Sequence, residues 1–162
     1  MRFFRRKSAT DEPSISAPAP QDPIDYESVE LLDAEDLAEG GIGEAYEQIL
    51  PAIAKWVPNP WSVHEDYDSE RGRYAVRAGG REYVIYDENT DELRSWYQAA
   101  GALFLIINAQ MQEAPVWFYA IGGGHDLFGV VLTPEEADQA QRALPRPDDR
   151  PFLPTEEAPW VA

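Results

Sequence analysis

Apolar residues along 91–111 recur at helical spacing: Leu93, Trp96, Tyr97, Ala100, Leu103, Phe104 and Ile107 fall near one face. The centre of this stretch, AAGALFLII, is apolar nearly all round, which predicts a long helix embedded in the core. Asn89 and Glu92 stand at the N-cap and N3 spacing of a capping box before it. Two continuous apolar runs follow, VWFYAI (116–121) and LFGVVL (127–132), and read as buried strands around Gly122-Gly123-Gly124. Residues 72–78 and 81–87 alternate in polarity and flank Gly79-Gly80, a strong hairpin signal. A further strand is expected over 61–67, after Pro58-Asn59-Pro60.

Three shorter helical segments complete the pattern. Residues 34–39 predict a helical turn broken by Gly40 and Gly41. Residues 43–56 place Ala45, Ile49, Ile53 and Trp56 near one face, with a kink or break expected at Pro51. A last helix opens at Thr133, with Pro134 at its first position and Glu136 completing a capping box. Adjacent strands without strict βαβ alternation predict an α+β fold. The expected architecture is a mainly antiparallel sheet of about five strands packed on the long buried helix, with shorter helices flanking it.

Composition sets the limits of the domain. Residues 8–25 mix Ser, Ala, Pro and acid with almost no large apolar side chain, so 1–25 reads as a disordered tail, basic at its start. One acidic domain is expected over 26–154, and a second tail over 155–162. The prolines at 145, 147, 151, 154 and 159 exclude regular structure there, while Phe152, Leu153 and Trp160 give the tail something to pack. MRFFRRK is followed by SATDEP and not by an apolar stretch, which argues against a secretory or twin-arginine signal. Phe3 and Phe4 beside four cations make at most a weak membrane anchor. Cytoplasmic residence is the expectation.

Charge narrows the choice of partner. The chain has 162 residues, with 30 acidic and 13 basic side chains, a net charge of −17 and no cysteine. Disulfides, cysteine zinc sites and thiol nucleophiles are thereby excluded. Four of the basic residues are Arg2, Arg5, Arg6 and Lys7, so 26–154 holds 9 basic against 24 acidic groups. Such a domain is a poor binder of nucleic acid, and its field favours solubility and capture of basic partners.

Candidate chemistry is sparse. His125 precedes Asp126, a pairing suited to a general base, but adjacent side chains point apart and the glycines around them suit a turn. A strand, not a helix, follows those glycines, so they make a poor phosphate cradle. His64, Asp66 and Asp68 would share one face of a strand and offer oxygen ligands, without the glycine and terminal glutamate of a calcium loop. Trp56, Trp96, Trp117, Phe118 and Tyr119 are candidates for an aromatic pocket or for the core. No residue is assigned a catalytic or metal role, and no cofactor is expected. The stronger feature is two acidic clusters, HEDYDSE (64–70) and DENTDE (87–92). With Trp61 and Tyr67 as anchors, Glu65, Asp66, Asp68, Glu70, Asp87, Glu88 and Asp91 would form an aromatic and acidic binding patch.

With HEDYDSE, DENTDE and the GGREYVIY hairpin in a small, acidic, cysteine-free chain, 26–154 resembles bacterial immunity proteins of polymorphic-toxin systems, including contact-dependent and type VI secretion systems. The resemblance is one of general character and transfers no individual site. It implies a cytosolic protein that binds a cognate toxin domain tightly and blocks its active site or substrate access. A toxin that attacks nucleic acid is often basic, which suits an acidic inhibitor. The competing expectation is an enzymatic or small-molecule-binding domain built on His125, Asp126 and the aromatic pocket.

Overall fold

The computed structural model describes residues 23–122 and 126–156. The basic N-terminal segment, nearly all of the expected tail, His125 and Trp160 lie outside the described residues. The fold is α+β, with two antiparallel three-stranded sheets where one sheet of about five strands was expected. Strands β1 (Glu30–Asp33), β6 (Asp126–Leu132) and β5 (Trp117–Ile121) form the first, in that order. Strands β2 (His64–Asp68), β3 (Arg73–Ala78) and β4 (Arg81–Tyr86) form the second as a meander.

Among the described residues four α-helices accompany them: α1 (Ala34–Asp36), α2 (Ile42–Ile53), α3 (Glu92–Gln110) and α4 (Pro134–Ala143), with a π-helical turn over Leu37–Gly41 joining α1 to α2. Helix α3 touches both sheets, through β4 and β5. Ala99, Ala100, Gly101, Ala102, Leu103, Phe104, Ile106 and Ile107 are all buried along it. Leu93, in its first turn, remains 49% exposed. The cap of α3 is Asp91, whose carboxylate accepts from Arg94 N at 2.8 Å, and not the expected Asn89. Asn89 is used one turn earlier, where its N–H donates to Asp87 and closes a tight turn.

The first sheet is covered on both faces over β5 and most of β6, which explains why those two strands are apolar along most of their length, while β1 and the start of β6 remain largely exposed. Phe118 and Ala120 face the main core with Leu32 and Leu127. Tyr119, Ile121, Val130 and Leu132 face a smaller cluster closed by Ala137 and Ala140 of α4 and by Ile24. The open edge of β5 is satisfied without another strand. Asn108 of α3 exchanges two hydrogen bonds with the Phe118 backbone, at 2.9 and 2.8 Å. Ala120 pairs with Phe152 in both directions at 2.9 Å, and Gly122 N donates to the Asp148 carbonyl at 3.0 Å. The proline-rich C-terminal segment therefore packs back along β5 as far as it is described.

The Gly79-Gly80 hairpin forms as expected, with both glycines at positive φ (58° and 79°) and Ala78 opposite Arg81. In β3, Tyr74, Ala75 and Val76 are all buried, so the expected wet face is interrupted. Ala75 lies in register between the longer Asp66 and Val84, which cover its small side chain. Helix α2 continues two residues past Pro51 as a single element. Gly40, at φ 110°, turns the chain between α1 and α2.

Candidate partner-binding surface

The acidic strand β2 divides its side chains between two environments. Asp66 and Asp68 lie on the outer face of the meander, and that face carries its own cations. Arg77 pairs with Asp66 at 2.9 Å and with Glu82 at 3.2 Å, while Arg73 reaches Glu82 at 2.8 Å. Asp68 lies 3.6 Å from Arg71 and its carboxylate accepts from the Arg71 N–H. The result is a surface ladder of alternating sign. Its two arginine hydrogen bonds hold the Glu82 carboxyl below the usual glutamate range. His64, Asp66 and Asp68 share a face, but Asp66 pairs with Arg77 and Asp68 with Arg71. Among the described residues no group of three or more His, Asp or Glu is arranged to hold a metal.

Glu65 and Tyr67 point to the opposite face, toward α2. The Glu65 carboxylate accepts from the Tyr74 hydroxyl at 2.6 Å and from Gly43 N at 3.2 Å, at the start of α2. It therefore serves as a remote helix cap, where a negative charge complements the helix dipole. Burial, followed by this carboxylate, pushes the Tyr74 hydroxyl far above its ordinary range. Tyr67 stacks on Tyr74, with centroids 4.4 Å apart and planes 5° from parallel, yet remains 50% exposed. Burial and the neighbouring Glu65 charge raise its hydroxyl as well. A Cβ on Gly40 would overlap the Tyr67 hydroxyl, so a glycine with positive φ is needed there for two reasons.

The remaining expected site residues fall elsewhere. Trp61 is half-buried on the main core, with its ring against Gly79 and its backbone N–H donating to Gln110 Oε1 at 2.7 Å. Asp87 is a turn residue: its carboxylate accepts from Asn89 N and Thr90 Oγ1, at 2.9 and 3.0 Å, and is held below the usual range by them. Asp91 caps α3. Glu70 and Glu88 are exposed. Tyr86 pairs with Tyr74, and Asp68 with Arg73, so both acidic clusters leave the meander at the same end. Arg73 stands between them and also lowers the Asp87 carboxyl.

The expected aromatic pocket is not assembled. Trp56 and Trp61 line a groove of about 580 Å³ with Gln110 and Glu113. Trp117 lines a separate one of about 380 Å³ with Tyr83, Arg81 and Glu156. Phe118 stacks on Phe104 at 4.8 Å in the main core, while Tyr119 belongs to the smaller cluster. Asp126 is exposed at the start of β6.

A surface that sequence reasoning missed lies along β1 and α2. A groove of about 460 Å³ is lined there by Leu31, Asp33, Asp36, Glu39, Glu44 and Gln48, among others. Residues 23–54 hold nine carboxylates and no lysine or arginine. The signal was present in the sequence, since 8–54 contains no basic residue at all. Asp33, opposite Asp126 in the β1–β6 register, caps α1: its carboxylate accepts from Glu35 N at 2.8 Å and Asp36 N at 3.2 Å. Leu31, beside them, is 69% exposed. No helix among the described residues is long and apolar enough to cross a membrane. Comparison of the chain with protein-family models, curated proteins and solved structures finds no match.

Proposed function

We propose that the protein is an acidic binding protein that captures a basic protein partner in fixed stoichiometry, as an immunity protein captures and blocks a cognate toxin domain. The observation that carries this reading is the one-signed β1–α2 surface. Its groove gathers Asp36, Glu39 and Glu44 in a stretch, 8–54, that contains no Lys or Arg, whereas Asp66 and Glu82 are neutralised by their own arginines. Exposed Leu31 supplies an apolar contact at its edge. Complementary charge acts chiefly on encounter rate and partner choice, so salt is the appropriate probe.

The outer acids Asp66 and Asp68 form the second part of the proposed surface, and Glu70 and Glu88 extend it; Tyr67, half-exposed on the opposite face toward α2, is the anchor nearest the β1–α2 surface. Trp61 and Glu65 support it from the core side. The test compares the wild-type protein with Asp36→Lys/Glu39→Lys/Glu44→Lys in affinity capture from native lysate, with mass spectrometry and an activity assay on whatever is retained. A basic protein held one-to-one at low salt, inhibited by the wild type and released by the triple variant, is the expected result. Equal retention by the variant removes the surface from the account.

A further inference from the structure

Positions 81 and 83 fall on one face of β4, because side chains two apart on a strand project the same way. There Arg81 lies over the Tyr83 ring, 4.9 Å from its centroid. Three elements meet around this pair: β4 of the second sheet, α3, and β5 at the edge of the first sheet opposite β1. The cavity of about 380 Å³ between them has Leu105 of α3 and Trp117 of β5 as further walls. Its size falls in the range of small-molecule sites, roughly 300–1,000 Å³. The C-terminal segment closes it. That segment is fixed first on the far side, where Gln141 of α4 donates to the Pro151 carbonyl at 2.7 Å and Phe152 pairs with Ala120. Leu153 and Pro154 then line the cavity, and Glu156 reaches Arg81 in an ion pair. Both partners stay wet, at 51% and 60% side-chain exposure, so the pair is weakly held. Asn108, also on the wall, is spent on the Phe118 backbone. Among the described residues lining the cavity, Arg81 is the one cation, and the group seated on it is a carboxylate.

We infer that this cavity binds a small aromatic carboxylate, whose ring enters between Tyr83 and Trp117 and whose carboxylate takes the place of Glu156 on Arg81. The guanidinium fork matches a carboxylate, and Glu156 occupies it as the chain's own competitor. Tyr83 and Trp117 supply the aromatic surface on which a planar ring stacks. Entry asks little of the fold: the anchors at Pro151 and Phe152 stay in place, and the stretch beyond them swings aside. The site lies at the opposite edge of the first sheet from the β1–α2 surface and takes a ligand of opposite charge. It is therefore a second binding function, independent of protein capture.

The test titrates the full chain with naphthylacetate, read by calorimetry and by amide chemical shifts. The shifts should centre on Arg81, Tyr83, Leu105, Trp117 and Leu153. Arg81→Gln should weaken binding about tenfold, through loss of a charge-assisted contact. Glu156→Gln should tighten it roughly threefold, since the competing pair is an exposed one. Glu135→Gln makes the same charge change on the exposed face of α4 and should bind as the wild type does. A net charge of −17 repels anions elsewhere on the protein, so the neutral naphthylethanol should bind more weakly than the acid only if Arg81 takes the carboxylate. Absence of binding by both the wild type and Glu156→Gln overturns the inference. So do shifts centred on Trp56 and Trp61, or equal affinity for the alcohol. Weaker binding by Glu156→Gln as well as by Arg81→Gln also overturns it, because the ion pair is then a structural latch that the ligand does not displace.

Discussion

Gly40 and Tyr67 show how far single positions reach. The positive φ of Gly40 and the Tyr67 hydroxyl packed on it join the turn before α2 to the acidic strand. Gly40→Ala should destabilise the fold by about 2 kcal/mol or more, from backbone strain plus displacement of the tyrosine. Denaturant unfolding checks this, and Tyr67→Leu in the same background should recover part of the loss. Glu82 gives a pH-dependent counterpart. Its folded-state value lies below the unfolded one near 4.5. Its contribution is therefore present above pH 4.5 and is lost as pH falls through the lower folded value. Glu82→Gln should lower Tm at pH 7, and the gap from wild type should close as pH approaches 3; a gap that stays constant counts against the ladder. The sequence showed the acids of 64–70 but not their partners, because Arg73, Arg77 and Glu82 join them only through strand register.

At the scale of elements, local signals were legible and non-local pairings were not. The two-glycine hairpin, the Thr133–Glu136 capping box and the apolar strands β5 and β6 follow from neighbours in sequence. Strand β1 was missed because ELLD is four residues long and sets two leucines side by side without alternation. Its partner β6 is nearly a hundred residues away, so nothing local marks the pairing. The division into two sheets has the same origin. Helix α3 contacts both sheets, and Asn108 closes the β5 edge in place of a further strand. Asn108→Ala leaves a buried N–H and a buried carbonyl of Phe118 without partners, at a cost of about 2–4 kcal/mol. Urea unfolding with α3 and β5 amides followed by hydrogen exchange should show the loss concentrated at that junction. A variant within 0.5 kcal/mol of wild type, roughly the range of an ordinary surface change, contradicts this role for Asn108.

Across the whole molecule, the charge of −17 is distributed by location. One acidic region carries its own arginines, and the other lies in a stretch, 8–54, whose sequence contains no Lys or Arg. Net charge was legible from composition, and the unrelieved stretch from the absence of Lys and Arg over 8–54. Their assembly with β1 into a groove required the fold. The most direct measurement is salt-dependent capture by the wild type and by Asp36→Lys/Glu39→Lys/Glu44→Lys from native lysate. The account predicts one basic, stoichiometric partner whose association slows steeply between 50 and 300 mM salt, as screened steering requires, and which the triple variant does not hold. A partner bound equally by both proteins, with rates indifferent to salt, would contradict it.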